Sequence, residues 1–407
     1  MVNRGGESTL IRRIKLENLL SFGPGTETLE MGPLNILIGP NGSGKSNLIE
    51  AIGLLQAAPR DLTAPIREGG GIRDWIWQGE PKAASAHIEL VLENPKGPQA
   101  LRYRLGFAEK GQRFALTDER IENEQPDAGQ DKPYRYFDLR GGRAVLNKGV
   151  PQRVYGIETE NPTQRRLRPE EIDPEQAILT RLKDPGHYPE LAYLGEAFGH
   201  MRLYREWSFG RYAPPRLPQK ADLPNDFLGE DGKNLGLVLN RLQREPKAKT
   251  RILEALRKLY EGVSDFGVII KGGTVQVFFQ EGDITVLATR LLDGTLRYLC
   301  LLAILCHPTP PPLVCIEEPE LGLHPDILPT LSDLLREASE RCQLIITTHS
   351  DVLVDALTDT PDAVVVCEKH AGRTEMRRLD KTDLADWLQR YSLGALWRSG
   401  ELGGNRW

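Results

Sequence analysis

Leu34-Asn35-Ile36-Leu37-Ile38-Gly39-Pro40-Asn41-Gly42-Ser43-Gly44-Lys45-Ser46-Asn47-Leu48-Ile49 is the stretch that decides the fold. The apolar run 34–38 reads as a buried strand. From Gly44 to Gln56 the spacing turns helical, with Leu48, Ile49, Ile52 and Leu55 on one face. Between them Gly39 to Ser46 matches GxxxxGK[ST] in full, in the strand–loop–helix setting that the motif requires. Glycines let successive backbone N–H groups wrap phosphate oxygens, and the helix N-terminus adds a favourable dipole. Lys45 is placed to reach β- and γ-phosphates, and the Ser46 hydroxyl to ligate Mg²⁺. Gly39, Pro40, Asn41, Gly42, Ser43, Gly44, Lys45, Ser46 and Asn47 are the candidate ATP-binding residues.

A phosphate loop that does chemistry needs acids nearby. Leu313-Val314-Cys315-Ile316-Glu317-Glu318-Pro319-Glu320 is a hydrophobic strand ending in carboxylates. At a strand end beside the loop, one carboxylate can hold Mg²⁺ through water and the next can polarise the attacking water. Glu317 is assigned to the metal and Glu318 to the base. About 30 residues on, Leu344 to Ser350 is another buried strand, ending in His349, a candidate sensor of the γ-phosphate.

Working outward, Leu10 to Asn18 alternates apolar and charged residues and predicts an edge strand, followed by a strand over Thr26 to Met31. Ala86 to about Val150 predicts an antiparallel β region with a polar tip at Glu124 to Lys132. Pro169 to Tyr260 predicts helices over Pro174–Leu182, Glu190–Phe198, Gly232–Leu242 and Ala248–Tyr260, with a Pro-rich loop at Ala213–Pro224. From Phe266 onward strands and helices alternate, which implies a mainly parallel sheet. The expected class is α/β: a parallel core sheet, an antiparallel β lobe and an inserted helical lobe. The expected units are 1–160, 161–262 and 263–407. Lys45 and Glu318 are 318 − 45 = 273 positions apart, so one site is split across the chain.

These motifs, with Leu323-His324-Pro325, Thr347-Thr348-His349-Ser350 and the opening Ile14-Lys15-Leu16-Glu17-Asn18 with Phe22, resemble the ABC-type ATPase heads of the SMC/RecF/OLD group. The resemblance is strongest to the short AAA-family branch without coiled-coil arms. It implies ATP sandwiched between two heads of a homodimer or higher homo-oligomer, the phosphate loop of one facing a signature motif of the other. The corresponding stretch is Leu291-Leu292-Asp293-Gly294-Thr295, so Asp293, Gly294 and Thr295 join the nucleotide-binding candidates. Two departures stand out: Leu292 replaces an expected Ser, and Glu317 an expected Asp. Both count against fast turnover. An inter-lobe glutamine touching metal and water is also implied. Gln176 is the first candidate and Gln78 the second. Relatives of this kind are encoded beside nuclease-like partners in bacterial defence systems, which implies a separately encoded effector. About 40 residues follow the strand Ala363–Cys367, too few for a nuclease domain of the chain's own.

Lys plus Arg is 52 and Asp plus Glu is 57, a formal charge of −5, which excludes a protein that coats nucleic acid by bulk charge. Local contact remains open through Arg165, Arg166 and Arg168, and through Arg202, Arg205, Arg211 and Arg216, interleaved with Tyr204, Trp207, Phe209 and Tyr212. The longest apolar run, Tyr298 to Cys306, is far short of the roughly 20 residues of a membrane helix. The polar start Met1 to Ser8 has no signal-peptide pattern. Five cysteines without close CxxC pairs read as core residues of a reduced, cytoplasmic protein. Leu396-Trp397 and the Gly-Trp tail to Trp407 read either as a partner anchor or as packing onto the chain's own domain. Two functional readings stay open: an ATPase engine that gates a DNA-related partner, and an ATP-locked scaffold that cages an effector. The absent standard signature and the large β insert argue against a transporter cassette.

Overall fold

The computed structural model describes residues 9–404 apart from 81, 96, 98, 148–152, 155–156 and 159–163. The outermost tail residues Asn405 to Trp407 and the start Met1 to Ser8 lie outside the described residues. The chain opens with β1 (Ile11–Glu17), β2 (Leu29–Glu30), the fully buried β3 (Leu34–Ile38), the phosphate loop and α1 (Lys45–Ala57). Short helices α2 (Ala64–Glu68) and α3 (Ile72–Trp75) lead to β4 (Ala86–Leu92), β5 (Leu101–Lys110), β6 (Arg113–Asn123), β7 (Arg135–Arg140) and β8 (Arg143–Asn147). Then come the two-residue partners β9 (Arg153–Val154) and β10 (Ile157–Glu158), followed by β11 (Gln164–Arg166). The middle holds α4 (Ile178–Arg181), α5 (Pro189–His200), β12 (Arg202–Tyr204), β13 (Gln219–Lys220), α6 (Leu235–Leu242) and α7 (Pro246–Leu259). The last third runs β14 (Asp265–Lys271), β15 (Thr274–Glu281), β16 (Ile284–Leu287), α8 (Asp293–Leu305), β17 (Leu313–Glu317) and α9 (Leu328–Ser339). It ends with β18 (Gln343–Thr347), α10 (Asp351–Asp355), β19 (Val364–His370), β20 (Arg373–Arg378), α11 (Ala385–Leu388) and α12 (Leu393–Arg398).

The core sheet has the order β12-β17-β18-β3-β19-β20, parallel except for the last pair. Its central strands β3, β17 and β18 are buried on both sides because both faces are covered. Leu37, Cys315, Ile345 and Val365 face one core with α1, α5 and the antiparallel sheet. Ile36, Val314, Ile346 and Val364 face a second core with α6, α7, α8 and α9. The antiparallel sheet has the order β11-β8-β7-β6-β5-β4-β1-β2. The mixed α/β class with separate parallel and antiparallel sheets is therefore as expected from the sequence.

Several expectations need correction. β1 is not an edge strand: it pairs with β4 along its length and with β2 at Arg13 and Ile14. The helix expected over Pro174–Leu182 shrinks to Ile178–Arg181, because the carbonyl of Pro174 is engaged by the N–H of Leu116 in β6. The helices of the stretch 161–262 are shared between the two cores. Residues of α4 and α5 join the first core and residues of α6 and α7 the second, with β12 between them at the edge of the core sheet. All five cysteines are free and buried. Leu396 and Trp397 are buried in the second core, so this part of the tail packs on its own domain.

Candidate functional site

β3 delivers the phosphate loop at the C-terminal ends of the parallel strands, where open α/β sheets bind ligands. Gly39 and Gly44 have φ of 148° and 101°, which favour glycine. Each is also tightly covered. A Cβ at Gly39 would lie 2.2 Å from the Cys367 carbonyl oxygen, and one at Gly44 2.2 Å from Thr374 Oγ1. Thr374 pins the loop from β20: its hydroxyl donates to the Ser43 carbonyl at 2.9 Å and sits 2.6 Å from Ser21 Oγ, which also accepts from Asn47 Nδ2. No side chain caps the N-terminus of α1, which leaves its first N–H groups to an anion. Lys45 is only 6% exposed. Its ammonium donates to the Gly39 and Pro40 carbonyls at 2.7 and 3.1 Å. Burial lowers its pKa, and Glu318, Glu317 and Glu320 are close enough to oppose that. The two halves of the split motif therefore meet.

β17 lies beside β18, and β18 beside β3, so Glu317 is opposite Thr347 and Thr347 opposite Leu37. Glu318 turns away from the strand with φ 45°, an uncommon value for a non-glycine residue. Its N–H donates to the Thr347 carbonyl at 3.0 Å, and its own carbonyl accepts from Arg297 Nη2 at 3.2 Å. His349 Nε2 stands 3.7 Å from Glu318 Oε1. Burial, then the Lys45 charge, lowers the His349 pKa against the pull of Glu318, which favours the neutral imidazole. Glu320 Oε1 accepts from Thr348 Oγ1 at 2.7 Å and from the His349 N–H at 2.8 Å. Burial nevertheless pushes its carboxyl up, with the Glu318 charge adding to the rise.

Glu320 and Arg297 were not singled out from the sequence. Glu320 is the third acid of the same strand-end run, a signal that was there to read. Arg297 comes from α8, is buried, and lies under Trp207 and Phe209, 5.8 and 5.7 Å from their ring centres.

Glu317 Oε1 is buried and has no hydrogen-bond partner, and Ser46 is exposed at the head of α1. This donor set fits Mg²⁺ as P-loop sites hold it, by one hydroxyl, one carboxylate, phosphate oxygens and water. Among the described residues no group of three or more His, Cys, Asp or Glu is arranged to hold a metal unaided.

Other expected site residues lie apart. Gln176 Oε1 accepts from Arg181 Nε at 3.4 Å, and the neighbouring Thr180 hydroxyl donates to the Ala58 carbonyl. Ala58 closes the far end of the 13-residue α1, about 20 Å along the helix from Lys45, and the segment carrying Gln176 is tied to that end. Gln78 lies on a segment bonded to Asn18, but its amide donates to the Arg73 and Ile76 carbonyls. Asp293, Gly294 and Thr295 open α8. Asp293 is ion-paired with Arg216, and a Cβ on Gly294 would lie 2.4 Å from the Gly322 carbonyl. Leu292, just before them, is 76% exposed.

The Arg–aromatic segment is not one nucleic-acid face. Arg216 is 7% exposed, donating to the Leu291 and Phe209 carbonyls, and Tyr204 and Phe209 are buried in the second core. Arg205 pairs with Glu50 and Glu317 inside the site. Arg202 bonds the Met201 carbonyl and covers Phe227, while Arg165 pairs with Glu171. Arg166, Arg168 and Arg211 are exposed.

Among the described residues no helix is long and apolar enough to cross a membrane. No curated protein matches this sequence. Among solved structures, an SMC head bound to the C-winged helix domain of ScpA matches with a TM-score of 0.60 at 15% identity, covering 92% of this chain and 99% of that one. An SMC head with an extended coiled coil bound to the C-terminal domain of ScpA, derived from Pyrococcus furiosus, matches at 0.56 and 13% identity, over 93% and 98% of the two chains. One with a coiled coil and joint from Pyrococcus yayanosii gives 0.50 and 12%, over 93% and 99%. At these identities the likeness is one of fold: the chain has the architecture of an SMC ATPase head. The family model described as "AAA domain, putative AbiEii toxin, Type IV TA system" matches residues 34–355, most of the chain, and the protein belongs to that AAA family.

Proposed function

We propose that this chain binds Mg-ATP at the phosphate loop and hydrolyses it slowly, with Glu318 as the base, His349 facing the γ-phosphate, and Ser46 and Glu317 holding the metal. The observation that carries the reading is the approach of Glu317, Glu318 and Glu320 to the buried Lys45 across three adjacent parallel strands. A cavity of about 530 Å³ runs from Phe22 and Leu48 to Thr374 and Arg373, beside the loop, and offers room for the nucleoside. The exposed Leu292 and the half-buried Thr295 at the head of α8 would meet a second copy, so ATP would be shared between two heads of a homodimer. Closure and reopening of such a dimer would gate a separately encoded effector, in DNA repair or anti-phage defence. Exposed Arg166, Arg168 and Arg211 are what remains for a direct contact with DNA.

A second reading is favoured by Leu292: no hydroxyl is available there for a γ-phosphate, which suits a locked, slowly turning scaffold that cages an effector. Steady-state ATPase with wild type, Lys45→Ala and Glu318→Gln separates the two. The engine reading expects Glu318→Gln to keep nucleotide binding and lose about 10²-fold or more in turnover. Wild type no faster than Glu318→Gln leaves only the scaffold. Unchanged ATP binding by Lys45→Ala removes both.

A further inference from the structure

Arg205 has no place in the nucleotide chemistry described so far, yet the fold delivers it to the metal side of the site. β12 runs parallel to β17 with Tyr204 opposite Ile316, so the next residue leaves the sheet edge beside Glu317. Its Nη2 donates to Glu50 Oε1 at 3.2 Å, and its Nε lies 3.4 Å from Glu317 Oε1. Glu50 follows Ser46 by four residues on α1 and shares its helix face. Ser46, Glu50, Arg205 and Glu317 thus border one corner.

The contact with Glu317 is a charge contact, not a closed hydrogen bond. Arg205 Nε and Glu317 Oε1 are both buried, and neither makes a hydrogen bond. The bond to Glu50, by contrast, is made. Glu317 therefore keeps a lone pair free for a cation while already facing a positive charge.

We propose that Arg205 is a positioning residue that sets how far nucleotide binding depends on a divalent cation. The proposal rests on the reading of this site as one for Mg-ATP. Without the cation, the guanidinium neutralises Glu317, whose charge would otherwise repel a triphosphate. With the cation, the same guanidinium competes for Glu317 and weakens the metal's hold. Glu50, already bonded to Arg205, is the partner that retains it when metal takes Glu317. The two effects have opposite signs, which a residue that merely braces the fold would not produce.

The test uses the full chain, a fluorescent ATP analogue titrated in EDTA, and Mn²⁺ binding to the nucleotide complex followed by electron paramagnetic resonance. Arg205→Gln is expected to bind nucleotide in EDTA about tenfold more weakly and to take up Mn²⁺ about tenfold more tightly. Arg205→Lys, which keeps the charge, is expected near wild type in both. Glu50→Gln, which keeps an acceptor but removes the charge of the second partner, is expected to weaken Mn²⁺ uptake, and it tests the idea even if Arg205→Gln does not fold. Shifts of the same sign in both measurements, no shift in either, or Arg205→Lys matching Arg205→Gln would overturn the proposal. Lys45→Ala is the control: if it binds nucleotide like wild type, the site itself is misread. If it loses binding while the Arg205 variants change nothing, only the role of Arg205 falls.

Discussion

Replacing Glu119 by Gln should make the protein more stable in alkali and leave it nearly unchanged in acid. Glu119 sits in β6 with 1% of its surface exposed. One carboxyl oxygen accepts from Tyr103 OH at 3.0 Å and the other from the Ile178 N–H at 2.9 Å. Burial outweighs both bonds and pushes the carboxyl from 4.5 up to about 7, with the charge of Asp118 assisting. The folded protein thus holds a proton that the unfolded chain releases between these values. Its contribution is full below pH 4.5 and is lost as pH rises through about 7. At about 1.4 kcal/mol for each pH unit between the two values, the loss is about 3 kcal/mol by pH 8. Glutamine has the same shape, accepts from Ile178, donates to the Tyr103 oxygen and has no proton to lose. Urea denaturation of both proteins at pH 5.0, 6.5 and 8.0 should give a difference that starts small and grows to about 3 kcal/mol. Every other titrating group is common to the two, so the difference isolates this carboxyl. A constant difference, or a variant less stable than wild type at pH 8, would mean that the two hydrogen bonds hold the ionised form and that the argument from burial fails. The site matters beyond stability. Ile178 opens α4, which reaches the far end of the helix carrying Lys45 through Thr180 and Ala58.

Gly44→Ala places a Cβ against Thr374 Oγ1 and Ser21 Oγ at φ 101°, and should cost about 1–3 kcal/mol and abolish ATP binding, measured by thermal melting and nucleotide titration. His349 has a lowered folded pKa, so its contribution is present above the unfolded value of about 6.5 and is lost as pH falls below it. Melting curves of wild type and His349→Gln should therefore diverge between pH 7.5 and pH 5.5, with wild type losing more. Leu292→Ser supplies the hydroxyl missing at the head of α8, and should raise the ATP-dependent dimer fraction in analytical ultracentrifugation by several-fold. An unchanged fraction would detach that position from the nucleotide.

What the sequence disclosed was local in origin. The phosphate loop is legible because each glycine answers a backbone demand within a few residues. β17 and β18 are legible because strands covered on both faces must be apolar throughout. What it withheld depends on partners distant in the chain. β12 is three residues long, and only its alignment on β17, more than a hundred residues later, makes it a strand. Gln176 had a reasonable place in the order of motifs, but order carries no distance, and its neighbour Thr180 is bonded to Ala58 at the end of α1 away from Lys45. β20, a polar strand with three Arg, one Glu and one Thr, is defined by pairing with β19 and by its grip on the phosphate loop through Thr374.

The arginines show why charge in a sequence is the hardest signal to place. Arg202 to Arg216, among Tyr204, Trp207 and Phe209, has the composition of a nucleic-acid surface. Composition cannot tell an aromatic that stacks on a base from one that fills a core, or an arginine that meets phosphate from one that satisfies buried carbonyls. In this chain Arg216 closes the loop before α8, Arg297 lies under the aromatic rings, and Arg205 faces Glu317. Arg205 and Arg216 turn inward toward β17 and α8, the elements that carry the acidic run and the signature-like motif, and Arg297 belongs to α8 itself. The segment read as a contact for outside phosphate thus turns two of its arginines toward the nucleotide site, where their positive charge is set against Glu50, Glu317 and Asp293. A protein of net charge −5 that binds a polyanionic nucleotide needs cations at that site before it can spare them for DNA.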